Sequence, residues 1–421
     1  MSASALYDEA AEDARERRTR DARAADLAAR LPAFLARAVV TSAHCARTLA
    51  GADPAAITGP HALAPLPLTR KSDLVAAQAA DPPFAGLNGV PVAALARVFV
   101  SPGPIYEPQG EGTDPFRMAR ALRASGLRRG DLLHNTFAYH LTPAGFMLEG
   151  GARALGCPVV PAGTGQTDQQ ARAVAHLRPR AYTGTPDFLR TILERCDELG
   201  LDGSSLRVGH VSGGFYAPAL RAWYGERGLT VRQSYATAEC GLVAYETEAG
   251  EGLVLDEDVV VEIVRPGTGD PLPEGEVGEV VVTVLNPAYP LVRFATGDLS
   301  AVMPGESPCG RTNARLRGWM GRADQATKVR GMFVRPEAVA EVLRAVPGLG
   351  RARLVVSLDE AGRDAMTLRA ETPTPGDAAL RDRLAGALSE ATKLRGAVDL
   401  VAPGTLPNDG VAIQDARPAP T

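Results

Sequence analysis

From residue 95 onward, short β-branched or apolar runs alternate with helical stretches, and this alternation restricts the fold more than any other feature of the chain. Residues 97–100 read as a strand that ends in a turn-rich loop. Strand patterns recur at 131–135, 158–161, 181–184 and 206–212. Helical patterns fill the gaps at 114–124, 146–155, 168–177 and 186–199. Strands joined through helices pair in parallel, because a parallel connection must cross back over the sheet. The expected core is a parallel sheet with helices on its faces.

The flanks have a different texture. Residues 6–50 read as helices, with Leu31-Pro32 marking a helix start, since proline suits the first helical turn. A Gly/Pro loop follows, and Thr69 is expected to cap a short helix through Lys71, Ser72, Asp73 and Leu74. After residue 250, runs at 259–264, 278–284 and 291–294 are separated by Gly, Pro and Glu turns, which suggests an antiparallel β subdomain. From Gly321 a smaller unit begins, with strands at 327–329, 352–357, 365–371 and 398–401 and helices at 336–346 and 377–394. The expected architecture is α/β. A large N-terminal domain spans 1–321, with a mostly helical lead-in at 1–80, parallel sheets flanked by helices, and the β subdomain at 250–320. A hinge joins it to an α+β C-terminal lid domain at 322–421.

Charge and cysteine usage narrow the function classes. The 45 basic residues are outnumbered by 49 acidic ones, which gives no electropositive surface for nucleic acid. The five cysteines are odd in number and form no C-x-x-C pair, so neither a disulfide framework nor a zinc site is expected. Asp8, Glu9, Glu12 and Asp13 without an apolar run do not read as a secretory signal, and no stretch reaches the ~18 apolar residues of a membrane span. The expected setting is cytoplasmic, with no membrane partner.

Several short segments carry candidate chemistry. His134, Phe137, Tyr139, His140 and Thr142 gather at one strand end, and Phe137 and Tyr139 alternate so as to share a face. They read either as an aromatic-lined acid pocket or as an ordinary buried strand. Tyr235 either offers a planar ligand an apolar face or is a core tyrosine. Glu239 either lends a hard carboxylate oxygen to a cation or is a solvated loop residue. Asp298 either accepts from a ligand with both oxygens or is a turn aspartate after Thr-Gly. Arg322 is either an anion clamp or a surface arginine.

In their order, these segments resemble the adenylate-forming superfamily, and most of all the phenylacetate-CoA ligase family. Residues 130–139 (GDLLHNTFAY) resemble its aryl-pocket strand, and 161–167 (PAGTGQT) its Gly-rich loop. Ser212, Gly213 and Gly214 resemble the loop against adenine. Residues 234–239 (SYATAE) resemble Tyr-Gly-x-Ser/Thr-Glu, and 293–299 (RFATGDL) resemble Arg-Tyr-x-Thr-Gly-Asp-Leu. Gly321, Arg322, Ala323 and Asp324 resemble the hinge, with Lys328 to Gly331 following. The resemblance implies a nucleotide site of Ser212, Gly213, Gly214, Tyr235, Ala236, Asp298 and Arg322. It implies a substrate pocket of His134, Phe137, Tyr139, Thr142, Gly163, Thr164 and Gly165, and a hinge at Asp324. Glu239 would be catalytic and hold the metal. His140, where the family has glycine, is a second catalytic candidate facing the substrate. AMP or ATP, Mg²⁺, and CoA or a carrier thiol are the implied cofactors. A small carboxylate or an acyl thioester is the implied substrate, and a homodimer the implied assembly.

Two positions depart from the family pattern. The phosphate loop is represented by Ser101, Pro102, Gly103, Pro104, Ile105, Tyr106, Glu107 and Pro108. A phosphate cradle needs N–H groups, hydroxyls and a cation, whereas prolines remove donors and Glu107 replaces a lysine. Near the C-terminus, Val411 stands where the family has a catalytic lysine. Both changes fall on groups that handle the triphosphate, so adenylation from ATP is expected to be slow or absent. Three readings follow: an ATP-dependent ligase, an ATP-independent acyl-transfer enzyme on the same scaffold, and a non-catalytic homologue.

Overall fold

The computed structural model describes residues 7–101, 104–323, 325, 327–329, 332–358 and 364–417. It separates into two compact units. The larger comprises Met1–Val261, Val282–Phe294 and Met303–Gly318, and the smaller comprises Glu262–Val281, Ala295–Val302 and Trp319–Thr421.

The larger unit is built on the expected parallel sheet. Leu133–Asn135 lies between Val159–Pro161 on one side and Ala181–Gly184 on the other, and Val208–Val211 and Thr230–Thr237 extend the sheet in parallel. The side chains of Leu133–Asn135, Ala181–Gly184 and Val208–Val211 are buried, as strands covered on both faces require. Helices Ala144–Ala154, Thr167–Leu177 and Pro186–Glu198 make the crossovers. The direction of strand addition reverses at Leu133–Asn135, and in open α/β sheets ligands gather beyond the carboxyl ends of the strands at such a switch. The loops that follow Asn135, Pro161 and Val211 carry the sequence-predicted pocket and adenine residues.

Several elements differ from expectation. Pro32 does not start a helix. It lies inside the 22-residue helix Arg20–Thr41, which is held down by the fully buried Leu31 and Leu35. Thr69 caps nothing: its hydroxyl meets His44 Nε2 at 2.8 Å, and helix Lys71–Ala80 begins after Arg70. The turn-rich loop after residue 100 is a hairpin, Leu95–Ser101 paired antiparallel with Ile105–Gly110. Pro102 and Gly103 lie outside the described residues. Helix Pro218–Glu226 and strands Gly241–Tyr245 and Leu253–Leu255 also belong to the larger unit.

The helical lead-in is fixed by charge as well as by packing. Arg120, buried beneath helix Glu9–Arg17, donates to Asp256 Oδ2 at 2.6 Å, stands in ionic contact with Glu16 Oε1 at 3.1 Å, and also meets Glu12. Arg311 adds a 2.6 Å contact to Glu16. Buried ions persist only when partnered in this way.

The smaller unit contains a four-stranded sheet in the order Ala397–Val401, Asp364–Glu371, Ala352–Leu358, Ile413–Asp415. Helices Pro336–Ala345 and Ala378–Thr392 pack on it through Val339, Val342, Leu380, Leu384 and Leu388. Leu380, Leu384 and Leu388 recur every four residues and make one apolar stripe. No helix among the described residues is long and apolar enough to cross a membrane.

Candidate active site

The strand end at Asn135 is a hub. Asn135 Nδ2 donates to Tyr139 Oη at 2.7 Å and to the Gly145 carbonyl at 2.9 Å, while Oδ1 accepts from Thr183 Oγ1 at 2.9 Å. Tyr139 packs edge-on against Phe146, with ring centroids 5.1 Å apart. A Cβ at Gly145 would stand 2.8 Å from the Ala138 carbonyl and 2.9 Å from the Tyr139 ring, so only glycine fits at the start of that helix. Buried Asn135 and half-buried Tyr139 therefore form one unit.

His134 belongs to different surroundings. Gln170 donates its amide hydrogens to the Gly163 and Gly165 carbonyls at 2.9 and 2.8 Å, so its oxygen must accept from His134 Nε2 at 2.8 Å. That fixes the imidazole tautomer and leaves Nδ1 as a buried acceptor without a partner among the described residues. Burial also depresses the His134 pKa, which keeps the ring neutral. The structure thus brings His134, Gly163 and Gly165 together through Gln170. Thr142 reaches the Ala138 carbonyl at 3.4 Å, and His140 and Thr164 are exposed.

The adenine-loop candidates follow strand Val208–Val211. Ser212 Oγ donates to the Ser234 carbonyl at 2.9 Å, and Gly213 and Gly214 are exposed. A Cβ on Gly213 would lie 3.7 Å from the Phe137 ring. Tyr235 and Ala236 are half-buried, and the strand register shifts between them. Such a bulge re-aims side chains at a functional edge. Beneath this motif, buried His210 links Ser125 Oγ at 2.9 Å to Ser234 Oγ at 3.0 Å, and complete desolvation lowers its pKa to about 4.

The phosphate-loop region holds a residue that the sequence reading passed over. Lys71 Nζ stands 2.7 Å from Glu239 Oε1. The pair is in ionic contact but lacks hydrogen-bond alignment, and both Glu239 oxygens are without a hydrogen-bond partner among the described residues. Glu239 is 4% exposed. A solvated loop glutamate would not look like this, whereas a buried carboxylate with an unused oxygen fits a hard cation. Glu107 is also turned inward. It is 2% exposed, accepts from Ser101 Oγ at 2.6 Å, and has an unpaired Oε2. Burial, reinforced by the Glu239 charge, raises its pKa to about 8 against the opposing influence of Ser101 and Lys71. At neutral pH Glu107 is a neutral acid inside the hairpin. Held neutral, Glu107 would not repel a triphosphate. The unpaired hydroxyl of buried Tyr289 belongs to the same cluster, and burial, followed by the Glu107 and Glu239 charges, holds its pKa high.

In the smaller unit, Asp298 and Arg322 face each other across an antiparallel bridge. Asp298 Oδ1 accepts from Arg322 Nη1 at 3.0 Å and from Trp319 Nε1 at 3.1 Å. Asp324 lies outside the described residues. Gln325 clamps the segment that carries Val411. Its oxygen accepts from Ala412 N and Ile413 N at 2.6 and 3.0 Å, and its nitrogen donates to the Gly410 carbonyl at 3.2 Å. Val411 is half-buried, its backbone held by Arg353 and Asp409.

Residues 133–286 match the family model described as AMP-binding enzyme. The chain is 34% identical over 342 residues to the phenylacetate-coenzyme A ligase of Thermus thermophilus, covering 77% of this chain and 76% of that protein. It is 33% identical over 324 residues to the phenylacetate-coenzyme A ligase of Aromatoleum evansii, covering 73% and 72%. Its fold is similar to that of 2-hydroxyisobutyryl-CoA ligase solved in the postadenylation state, with a TM-score of 0.70 and 25% identity over 96% of this chain and 91% of the other.

Proposed function

This chain belongs to the phenylacetate-coenzyme A ligase family of adenylate-forming enzymes, and on that premise we propose that it activates a small carboxylic acid with ATP and transfers the acyl group to a thiol. The observation that carries this reading is Lys71 beside Glu239. The phosphate loop has lost its lysine at Glu107, but Lys71 returns a cation to the same cluster. Its side chain is 34% exposed, accessible enough to meet an incoming phosphate. Buried Glu239, with its unused oxygen, would hold Mg²⁺, which when bound neutralises phosphate charge. Neutral Glu107 adds no repulsion.

In this reading Tyr235 stacks on adenine with Ser212, Gly213, Gly214 and Ala236 around it, and Asp298 and Arg322 take the ribose. Phe137, Tyr139, Thr142, Gly163, Thr164 and Gly165 border the acyl group, with His134 setting the loop through Gln170 and exposed His140 meeting a polar substituent. Residues 322–421 act as the lid, turning near Asp324 between adenylation and thiol transfer, with CoA as the thiol. A cytoplasmic homodimer fits the family. Val411 supplies no charge, so the adenylation step is slower than in a member with lysine there. One missing charge-stabilising group commonly costs about 10²–10³ in rate.

A second reading is favoured specifically by Val411: the enzyme acts on a ready-made acyl-adenylate or thioester without ATP. Pyrophosphate release across a panel of aryl and small aliphatic acids separates the two. Acid-dependent release supports the first. Its absence, together with acyl transfer from a supplied adenylate or thioester, supports the second and removes the first.

A further inference from the structure

We propose that Trp319 is a displaceable plug on the ribose-binding carboxylate Asp298, so that nucleotide entry breaks an indole hydrogen bond and turns the ring away; this rests on the reading of Asp298 as the ribose acceptor. Trp319 is a large apolar side chain left 53% exposed. It is not loosely placed. The Met320 N–H bonds the Leu299 carbonyl at 2.9 Å and the Leu299 N–H bonds the Gly321 carbonyl at 2.9 Å, so the backbone around Trp319 is laced to the strand that carries Asp298. The indole N–H reaches Asp298 Oδ1 at 3.1 Å, the same oxygen that accepts from Arg322 Nη1 at 3.0 Å.

A carboxylate oxygen offers two lone-pair directions, and Oδ1 already serves two donors. A ribose hydroxyl that approaches Oδ1 must displace one of them. The guanidinium bond joins two opposite charges whereas the indole donor is uncharged, so the indole yields first. Arg322 is further tied to the Thr296 carbonyl at 3.3 Å, whereas the ring of Trp319 has solvent to move into. The plug therefore lowers affinity for the ribose it makes room for, and it does so through one hydroxyl.

The chain has two tryptophans, which makes the proposal readable by fluorescence. The other, Trp223, lies in the larger unit under Arg227, 4.2 Å from the guanidinium carbon to the ring centroid. In a Trp223→Phe protein, AMP titration is expected to shift and change the Trp319 emission. Calorimetry with AMP, 2′-deoxyAMP and 3′-deoxyAMP is then run on the wild type and on Trp319→Phe, which keeps an aromatic ring and loses the N–H together with the pyrrole half of the indole. The variant is expected to bind AMP more tightly by about tenfold or more, the worth of one hydrogen bond to a carboxylate no longer broken. Its preference for AMP over at least one deoxynucleotide should rise by the same factor. Binding that appears only in the variant would also support the plug. Equal or weaker AMP affinity in the variant, or AMP binding that leaves Trp319 emission unchanged, overturns the plug alone. Failure of both proteins to bind AMP overturns the plug together with the nucleotide reading beneath it.

Discussion

Replacing Glu107 with glutamine should stabilise the protein at alkaline pH and leave it unchanged in mild acid. Glu107 is buried in the hairpin, and its pKa is raised from an ordinary 4.5 to about 8, chiefly by desolvation and next by the charge of Glu239. A carboxyl raised in the folded state keeps its proton while the unfolded chain has already released it. Its contribution to stability is therefore complete below about pH 4.5 and is lost progressively as pH rises through about 8. At 1.36 kcal/mol per unit, the span sets a ceiling near 5 kcal/mol. Relaxation and water entry around the charge lower this, so about 1–3 kcal/mol is expected. Glutamine copies the neutral acid: it still accepts from Ser101 and never ionises. Urea unfolding from pH 5 to 9, followed by Trp223 fluorescence in a Trp319→Phe background, reports the unit that contains Glu107. The two proteins should coincide near pH 5 and diverge upward, with Glu107→Gln the more stable at pH 8–9. Parallel curves across the range would refute a buried, protonated Glu107, and a variant that weakens with pH faster than the parent would do so more strongly.

Asp298→Ala should weaken AMP binding by about 1–3 kcal/mol, the cost of leaving polar partners unpaired, as calorimetry would show. Unaltered affinity would place the ribose elsewhere. Gln325→Asp shortens the clamp on Gly410, Ala412 and Ile413 and sets a carboxylate where an amide nitrogen now donates. The substitution should cost about 1–3 kcal/mol and open the 408–413 segment to limited proteolysis, and protease resistance equal to the parent would argue against it.

Regular elements whose local pattern agrees with their packing were legible in the sequence. Ala181–Gly184 and Pro336–Ala345 were visible because a β-branched or apolar run and a proline-started apolar stripe each point to one answer. The hairpin return Ile105–Gly110 was hidden because Pro104, Tyr106, Glu107 and Pro108 read as loop chemistry, and only long-range burial makes them a strand. Pro32 misled for the opposite reason: leucines on either side hold the helix through it. In the candidate site, motif order singled out Tyr235, Glu239 and Asp298 as candidates. It could not single out Lys71, because its partner lies far along the chain and contact, not spacing, gives it meaning. Glu107 was visible as a departure, but its consequence depended on burial, which spacing does not report. Trp319 escaped notice because a tryptophan outside any motif carries no sign of the carboxylate it will meet.

The central claim is that Lys71 supplies the phosphate-side cation lost from the loop. ATP–pyrophosphate exchange, measured with the best acid from the panel, tests it most directly. The wild type should exchange, and Lys71→Met should fall by about 10²–10³, as expected when one charge-stabilising group is removed, while keeping its AMP affinity. Exchange that survives unchanged in Lys71→Met would contradict the assignment.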